Sequence, residues 1–271
     1  MKTIKLSNID VASLKGLFGR SLSVNTSLYF ELTPQKIEAY AANQHDTFCK
    51  EWSTDLKGIL EHNNDFERLK FYFAHGSVFT NKLLGFFSTP EWEIHFDEEN
   101  VVKRIVMTDK ALRIDINTTN INFANIISKD QQLKRFDLSN SQASFDLNPG
   151  IVDSIVSLSS ITEFSEQKID FVEFEAANGV LKASNNMFNK EIGTYEGIEF
   201  KAKLHKSFLS VLDKEDTKVH YCTNDNGTVT FIFDSKHAEI DSKSCAVIMT
   251  DLAIMSDLDF NDDTTGWADF N

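Results

Sequence analysis

Ile4-Lys5-Leu6-Ser7-Asn8-Ile9-Asp10-Val11-Ala12-Ser13-Leu14 is the stretch that decides the fold, because the chain repeats its pattern 141 positions on as Phe145-Asp146-Leu147-Asn148-Pro149-Gly150-Ile151-Val152-Asp153-Ser154-Ile155. At the same offset Leu17 falls on Leu158, Leu28 on Ile169 and Phe30 on Phe171. A second block, Phe48-Cys49-Lys50-Glu51-Trp52-Ser53-Thr54, matches Phe188-Asn189-Lys190-Glu191-Ile192-Gly193-Thr194 at an offset of 140. A third sets residues 105–115 beside 231–241 at an offset of 126, so the first half carries about fourteen extra residues, expected within 55–77. Three collinear blocks point to an internal duplication, the kind of self-similarity that fixes an architecture before any motif is read.

Within each half the apolar periodicity changes from helical to alternating. Residues 9–22 place Ile9, Val11, Leu14, Leu17, Phe18 and Leu22 on one side of a helix. Strands are expected at 28–32, 37–42 and 47–53, separated by Pro34-Gln35 and a polar turn at 43–46. A second helix is expected over 78–87 with Phe79, Leu83 and Phe86 on its apolar side, followed by strands at 92–96, 101–107 and 111–116. The second half repeats the order: helix 151–158, strands 168–175, 180–184 and 187–194, helix 204–212, and a meander over 218–250 with a hairpin turn at Asn224-Asp225-Asn226-Gly227. The fold class is therefore α+β, two similar domains each with two short helices on antiparallel sheets. The expected boundaries are 1–117 and 144–252 for the domains, 118–143 for a connector strapped across a sheet, and 253–271 for an acidic tail.

Hydrophobic residues make up 41% and charged residues 25% of the 271, as in ordinary folded chains. Three separated cysteines, Cys49, Cys222 and Cys245, form no CxxC pair and no disulfide framework. No signal-like or membrane-spanning run is present, so the expected location is cytoplasmic, in a bacterial or infected host cell. The sequence contains no HExxH, no glycine-rich phosphate loop and no GxSxG, and neither a metal site, a cofactor nor an enzymatic activity is expected. The 41 acidic against 27 basic residues, a net charge of −14, oppose simple electrostatic binding to nucleic acid, so any such role requires segregated charge.

Two matched halves, each with the helix-strand order above, with Leu14/Leu17 and Ile155/Leu158 in the early helices and Lys206-Ser207-Phe208-Leu209-Ser210-Val211-Leu212 before a meander, resemble the three-subunit DNA sliding clamps of phages, archaea and eukaryotes. The resemblance covers about residues 1–252 and is architectural, since no short signature marks that family. It implies a ring of three two-domain copies, helices lining the hole and sheets outside, held on duplex DNA by linkage while sequence-independent phosphate contacts allow sliding. It implies DNA polymerase and an ATP-dependent clamp loader as partners.

On this resemblance Lys15, Arg20, Lys82, Lys203, Lys206 and Lys214 would face DNA from the polar sides of the helices; each is equally readable as a solvated surface cation. The third helix offers no basic residue, only Asp153 and the hydroxyls of Ser154, Ser157, Ser159 and Ser160. Copies would join edge to edge through Ala111, Arg113 and Ile114 on one side and Phe188, Lys190 and Ile192 on the other. Partner peptides would dock beneath the connector on Ile121, Phe123, Ile126 and Ile127 with Val247 and Met249. Past Lys243 the chain holds no basic residue, while six Asp from 251 to 269 surround Phe260, Trp267 and Phe270; Trp267 and Phe270 are suited to docking on another protein. That tail also fits a second class, a single-stranded-DNA-binding replication protein whose aromatics stack on bases and whose acidic tip recruits partners.

Overall fold

The computed structural model describes residues 1–43, 47–62, 66–110, 112–124, 135–159, 171–210, 212, 215–223, 228–236 and 240–248. The first half runs β1 (Lys2–Ser7), α1 (Val11–Leu22), β2 (Leu28–Leu32), β3 (Lys36–Ala42), β4 (Phe48–Asp55), β5 (Glu61–His62), β6 (Leu69–Phe73), a helical segment α2 over 76–86, then β7 (Glu91–Phe96), β8 (Val102–Asp109) and β9 (Leu112–Asn117). The second half runs β10 (Ser141–Leu147), α3 (Pro149–Ser159), β11 (Phe171–Ala177), β12 (Val180–Ser184), β13 (Asn189–Gly193), β14 (Tyr195–Gly197), β15 (Phe200–His205), α4 (Lys206–Ser210), β16 (Thr217–Thr223), β17 (Val229–Lys236) and β18 (Ile240–Ile248). Element for element the halves correspond.

The pairing repeats as well. β1 lies between β5 and β7 as β10 lies between β14 and β16, and β2 lies between β3 and β6 as β11 lies between β12 and β15. The register corrects one detail of the repeat. Phe30 stands opposite Ala39 ahead of the turn at Pro34-Gln35, and Phe174 opposite Ala183 ahead of the left-handed turn at Asn178-Gly179, so Phe174 rather than Phe171 is the counterpart of Phe30. The extra residues of the first half are also divided. Thirteen residues separate β4 from β6 against six between β13 and β15, and the remainder lengthens α2 relative to α4.

α1 starts where Asp10 accepts hydrogen bonds from the Ala12 and Ser13 amides at 3.0 and 3.2 Å, and its apolar stripe Val11, Leu14, Leu17 and Phe18 enters the first core. There Phe18 meets Phe30, which stacks on Phe71 at 4.4 Å, and Trp52 donates its indole N–H to Ser21 of α1 at 2.8 Å. The second core is built on Ile155, Phe145, Phe174, Phe200, Phe208 and Phe231.

Expectation and structure part company at α2. Its middle turn, Phe79–Leu83, is a π-helix, flanked by one α-turn and a 3₁₀ turn. The inserted residue rotates the face: Phe79, Leu84 and Phe87 become buried, and Phe86, expected inward, is 67% exposed. The last helix is shorter than expected, because residues 200–205 form β15 and α4 begins only at Lys206.

The three sheets are the result that matters for function. A five-stranded sheet has the order β5-β1-β7-β8-β9, a four-stranded sheet β13-β12-β11-β15, and a nine-stranded sheet β14-β10-β16-β17-β18-β4-β3-β2-β6. The nine strands are the five of one half and the four of the other, fused where β18 pairs antiparallel with β4. Phe48, at the start of β4, crosses this seam into the second core, stacking on Phe208 at 5.1 Å, while Trp52 of the same strand sits in the first.

Candidate nucleic-acid interface and sheet edges

The four helical segments hold Lys15, Arg20, Lys82 and Lys206 and a single carboxylate, Asp153, in a chain whose acidic residues outnumber its basic ones 41 to 27. They pack in pairs, α1 against α2 and α3 against α4. The pairs meet across the seam: Arg20 of α1 forms an ion pair at 2.9 Å with Glu215, beyond α4, and Val24 packs against the second core.

Within this layer the cations differ in freedom. Lys15 reaches over α2, its Nζ 3.7 Å from where a β-carbon on Gly85 would sit, and Lys82 is exposed on the same segment. Lys206 donates to the Ser159 carbonyl at the end of α3, 3.5 Å away, where a cation also favours the negative end of the helix dipole. Lys203 is not on a helix: it lies in β15 opposite Glu173, exposed on the sheet face turned away from buried Ala202 and Leu204. Lys214 lies outside the described residues.

The third helix acquires a cation that its own sequence lacks. Lys190 of β13, expected at a subunit edge, donates from Nζ to Ser154 Oγ on α3 at 2.6 Å. Ser159 cannot offer its hydroxyl outward as expected, for it is fully buried and donates to the Ile155 carbonyl at 2.7 Å. Ser160 is outside the described residues.

Both expected joining strands stand at sheet edges. Among the described residues β9 pairs only with β8, and β13 only with β12. Ile114 and Ile116 rest on the first core, while Arg113 and Asp115 point the other way, Asp115 held by Arg104. On β13, Ile192 is buried in the second core, Phe188 packs beside it, and Glu191 points outward. Leu112 and Met187, at these edges, are 37% and 39% exposed. Ala111 is outside the described residues.

The connector begins by clasping the first half: the Thr119 amide donates to the Tyr72 carbonyl at 2.9 Å and the Tyr72 hydroxyl to the Phe123 carbonyl at 3.2 Å. Ile121 is half-buried and Phe123 is 75% exposed. Of Val247 only the backbone is described, opposite Thr230; Ile126, Ile127, Met249, Trp267 and Phe270 lie outside the described residues. The anchor missed in the sequence is Phe136, buried with Ala42 and Cys49 of one half and Cys222 and Ile232 of the other, so that the connector's far end straddles the seam. Burial there pushes the Cys222 thiol up to about 11, so it stays protonated and unreactive at neutral pH. The outer face of the seam is otherwise acidic: Glu38, Glu51, Asp234 and Asp241 with Tyr40 and Lys243 line a trough of about 550 Å³. Burial raises the Glu51 carboxyl above its ordinary value, with Lys243 opposing.

No protein-family model matches the sequence, and no curated protein sequence matches it. Solved structures do. The chain superposes on A. fulgidus PCNA bound by the C-terminal region of FEN-1 with a TM-score of 0.63 and 10% identity, covering 92% of this chain and 99% of that one. For the proliferating cellular nuclear antigen of Entamoeba histolytica the values are 0.62, 12%, 92% and 100%. For the DNA polymerase sliding clamp of Bacillus subtilis they are 0.65, 11%, 92% and 65%, so the chain spans about two-thirds of that protein. Paired halves, three antiparallel sheets and helices gathered into one acid-poor layer are thus the DNA sliding-clamp fold.

Proposed function

We propose that the chain is a DNA sliding clamp, a ring that encircles duplex DNA and tethers a replicative polymerase to it. The observation that carries the reading is the division of strands. The internal nine-stranded sheet is a five-stranded and a four-stranded set joined by β18 and β4, and the chain leaves one unjoined set of each kind, ending in β9 and β13. These occupy the places of β18 and β4 in the repeat. Joining them between copies regenerates a nine-stranded sheet at every seam, leaves neither β9 nor β13 as a free edge, and supports a closed ring, on this reading a homotrimer. The acid-poor helices then face the opening, where Lys15 and Lys82 contact phosphates without reading sequence, and Arg20, Lys206 and Lys190, already engaged by protein groups, contribute less.

On the same reading residues 1–117 and 144–252 are the two clamp domains, 118–143 the connector and 253–271 a tail for partner proteins. The connector flank at Ile121 and Phe123 receives a polymerase peptide, an ATP-dependent loader opens the ring, and the chain performs no chemistry of its own. The single-strand-binding alternative requires stacked-base platforms; instead the aromatic residues fill the two cores, and Phe86 and Phe123 are the exposed ones among the described residues.

The test is retention on DNA of different topology. Loaded onto nicked circular plasmid, the protein should co-elute with it through a sizing column, and cutting the plasmid once should release it. Solution mass should be three times the 30.8 kDa chain. Equal retention on linear and circular DNA, or preference for single strands, refutes the reading.

A further inference from the structure

The edges of β9 and β13 restrict how copies can meet. On both strands the even-numbered side chains face the core (Ile114 and Ile116; Ile192) and the odd-numbered ones face outward (Arg113 and Asp115; Asn189 and Glu191). Residues directly opposite in a sheet point to the same side, so only registers that set even against even keep both cores covered.

Resting on the ring reading, we propose that copies pair in the single register that sets Arg113 of one opposite Glu191 of the next. That register also sets Leu112 opposite Ile192 and Ile116 opposite Phe188, so apolar meets apolar on the core side and cation meets anion outside. A slip of two residues one way places Glu191 against Asp115, two carboxylates. A slip the other way places Leu112 against Lys190 and leaves Arg113 facing Asn189. Arg113 and Glu191 form no ion pair among the described residues, whereas Asp115 is already engaged by Arg104.

The sequence block shared by β4 and β13 gives the same register at the internal seam. There Phe48 stands opposite Ala246, Glu51 opposite Lys243 and Trp52 opposite Ser242. That block carries Phe48, Glu51 and Trp52 onto Phe188, Glu191 and Ile192. Strand pairing, by contrast, with Trp52 opposite Ala39 and Lys190 opposite Ala183 and a bulge at Ile192, sets the two strands two residues apart, the slip that the cross-linking below distinguishes. On the other strand Met107 and Phe233 are repeat counterparts; Met107 pairs with Ile114 and Phe233 with Ser244, which carries Ser242, Lys243 and Ala246 onto Leu112, Arg113 and Ile116. On the block alignment the seam pairs Phe48–Ala246, Glu51–Lys243 and Trp52–Ser242 map onto Phe188–Ile116, Glu191–Arg113 and Ile192–Leu112, the seam's single charged pair among them.

Two experiments test this. Arg113→Glu and Glu191→Arg should each weaken self-association about fivefold per seam or more, and the double reversal should restore it, since an exposed pair contributes up to about 1 kcal/mol. Failure of the double reversal to restore association overturns the pairing. In oxidative cross-linking, Arg113→Cys with Glu191→Cys should give copy-to-copy disulfides, while Asp115→Cys with Glu191→Cys should not; the reverse outcome in an assembled protein overturns the register and leaves the ring intact. A wild-type chain that is monomeric by solution mass overturns the ring reading and the register with it.

Discussion

Replacing Phe48 by Ala measures whether the two halves behave as one folding unit. The ring is 2% exposed, belongs to a strand of the first half, and fills the second core against Phe208. Truncating a buried Phe costs about 3–5 kcal/mol, a large share of a net stability of about 5–15 kcal/mol. With a urea m-value of roughly 3 kcal/mol/M the midpoint should fall by about 1–1.7 M. Trp52 and Trp92 both lie in the first core and the second core contains no Trp. In a Trp267→Phe background, tryptophan emission therefore reports the first core and far-UV circular dichroism reports both. Because the nine-stranded sheet runs unbroken through the seam, both signals should shift together by the same amount. An unmoved emission midpoint beside an early circular-dichroism transition would refute the coupling.

Other perturbations follow from local geometry. Gly197 has φ of +101°, and a β-carbon there would sit 2.1 Å from the Gln142 carbonyl oxygen, so Gly197→Ala should detach β14 from β10 and lower thermal stability by about 1–3 kcal/mol. Phe136→Ala should lower stability by about 2–4 kcal/mol and raise proteolytic cleavage near the connector, since its ring bridges both halves. Hydrogen bonds from Ser13 and Ala12 hold the Asp10 carboxyl below its usual range, so its contribution is complete above the ordinary carboxylate pKa and vanishes as pH falls through the lowered one. Asp10→Ala should therefore cost about 1 kcal/mol at neutral pH and nothing in acid; a pH-independent difference in melting would contradict the capping role.

The duplication and the first helix were legible because amphipathic spacing and block similarity are local signals, whereas the edge positions of β9 and β13 came from the resemblance to sliding clamps. What escaped was set by distant partners. β10 reads Ser141-Gln142-Ala143-Ser144-Phe145-Asp146-Leu147, too polar to announce a strand, and is one because β14 and β16 flank it. Phe86 was misassigned because a uniform 3.6-residue period cannot anticipate a π-turn. Lys203 was placed on a helix because the sequence does not show that β15 precedes α4, and nothing local shows that Lys190 reaches from its edge strand across to Ser154. Phe136 carried no periodicity at all; only the junction of two halves gives it a place to bury.

On the proposed clamp reading, the charge distribution decides how the chain would hold DNA. With a net charge of −14 the chain must repel a duplex over most of its surface, and the acidic seam trough lies on the sheet face away from the helices. Even in the helical layer Arg20 is neutralised by Glu215 and Lys206 is engaged by the end of α3, leaving Lys15 and Lys82 as its more available cations. Weak phosphate contacts of this kind cannot hold linear DNA at moderate salt, but they need not if the ring is closed. Binding to linear duplex should therefore be weak and fall with a slope of about 0.9 in log K per log salt for each phosphate contact, whereas retention on closed circles should barely respond to salt. Replacing Lys15 and Lys82 by Ala should flatten the linear-DNA slope by about one for each lysine in contact, and leave the lifetime on circles set by ring opening. Retention on circles that decays with salt as steeply as binding to linear duplex would mean that charge, rather than linkage, holds the DNA.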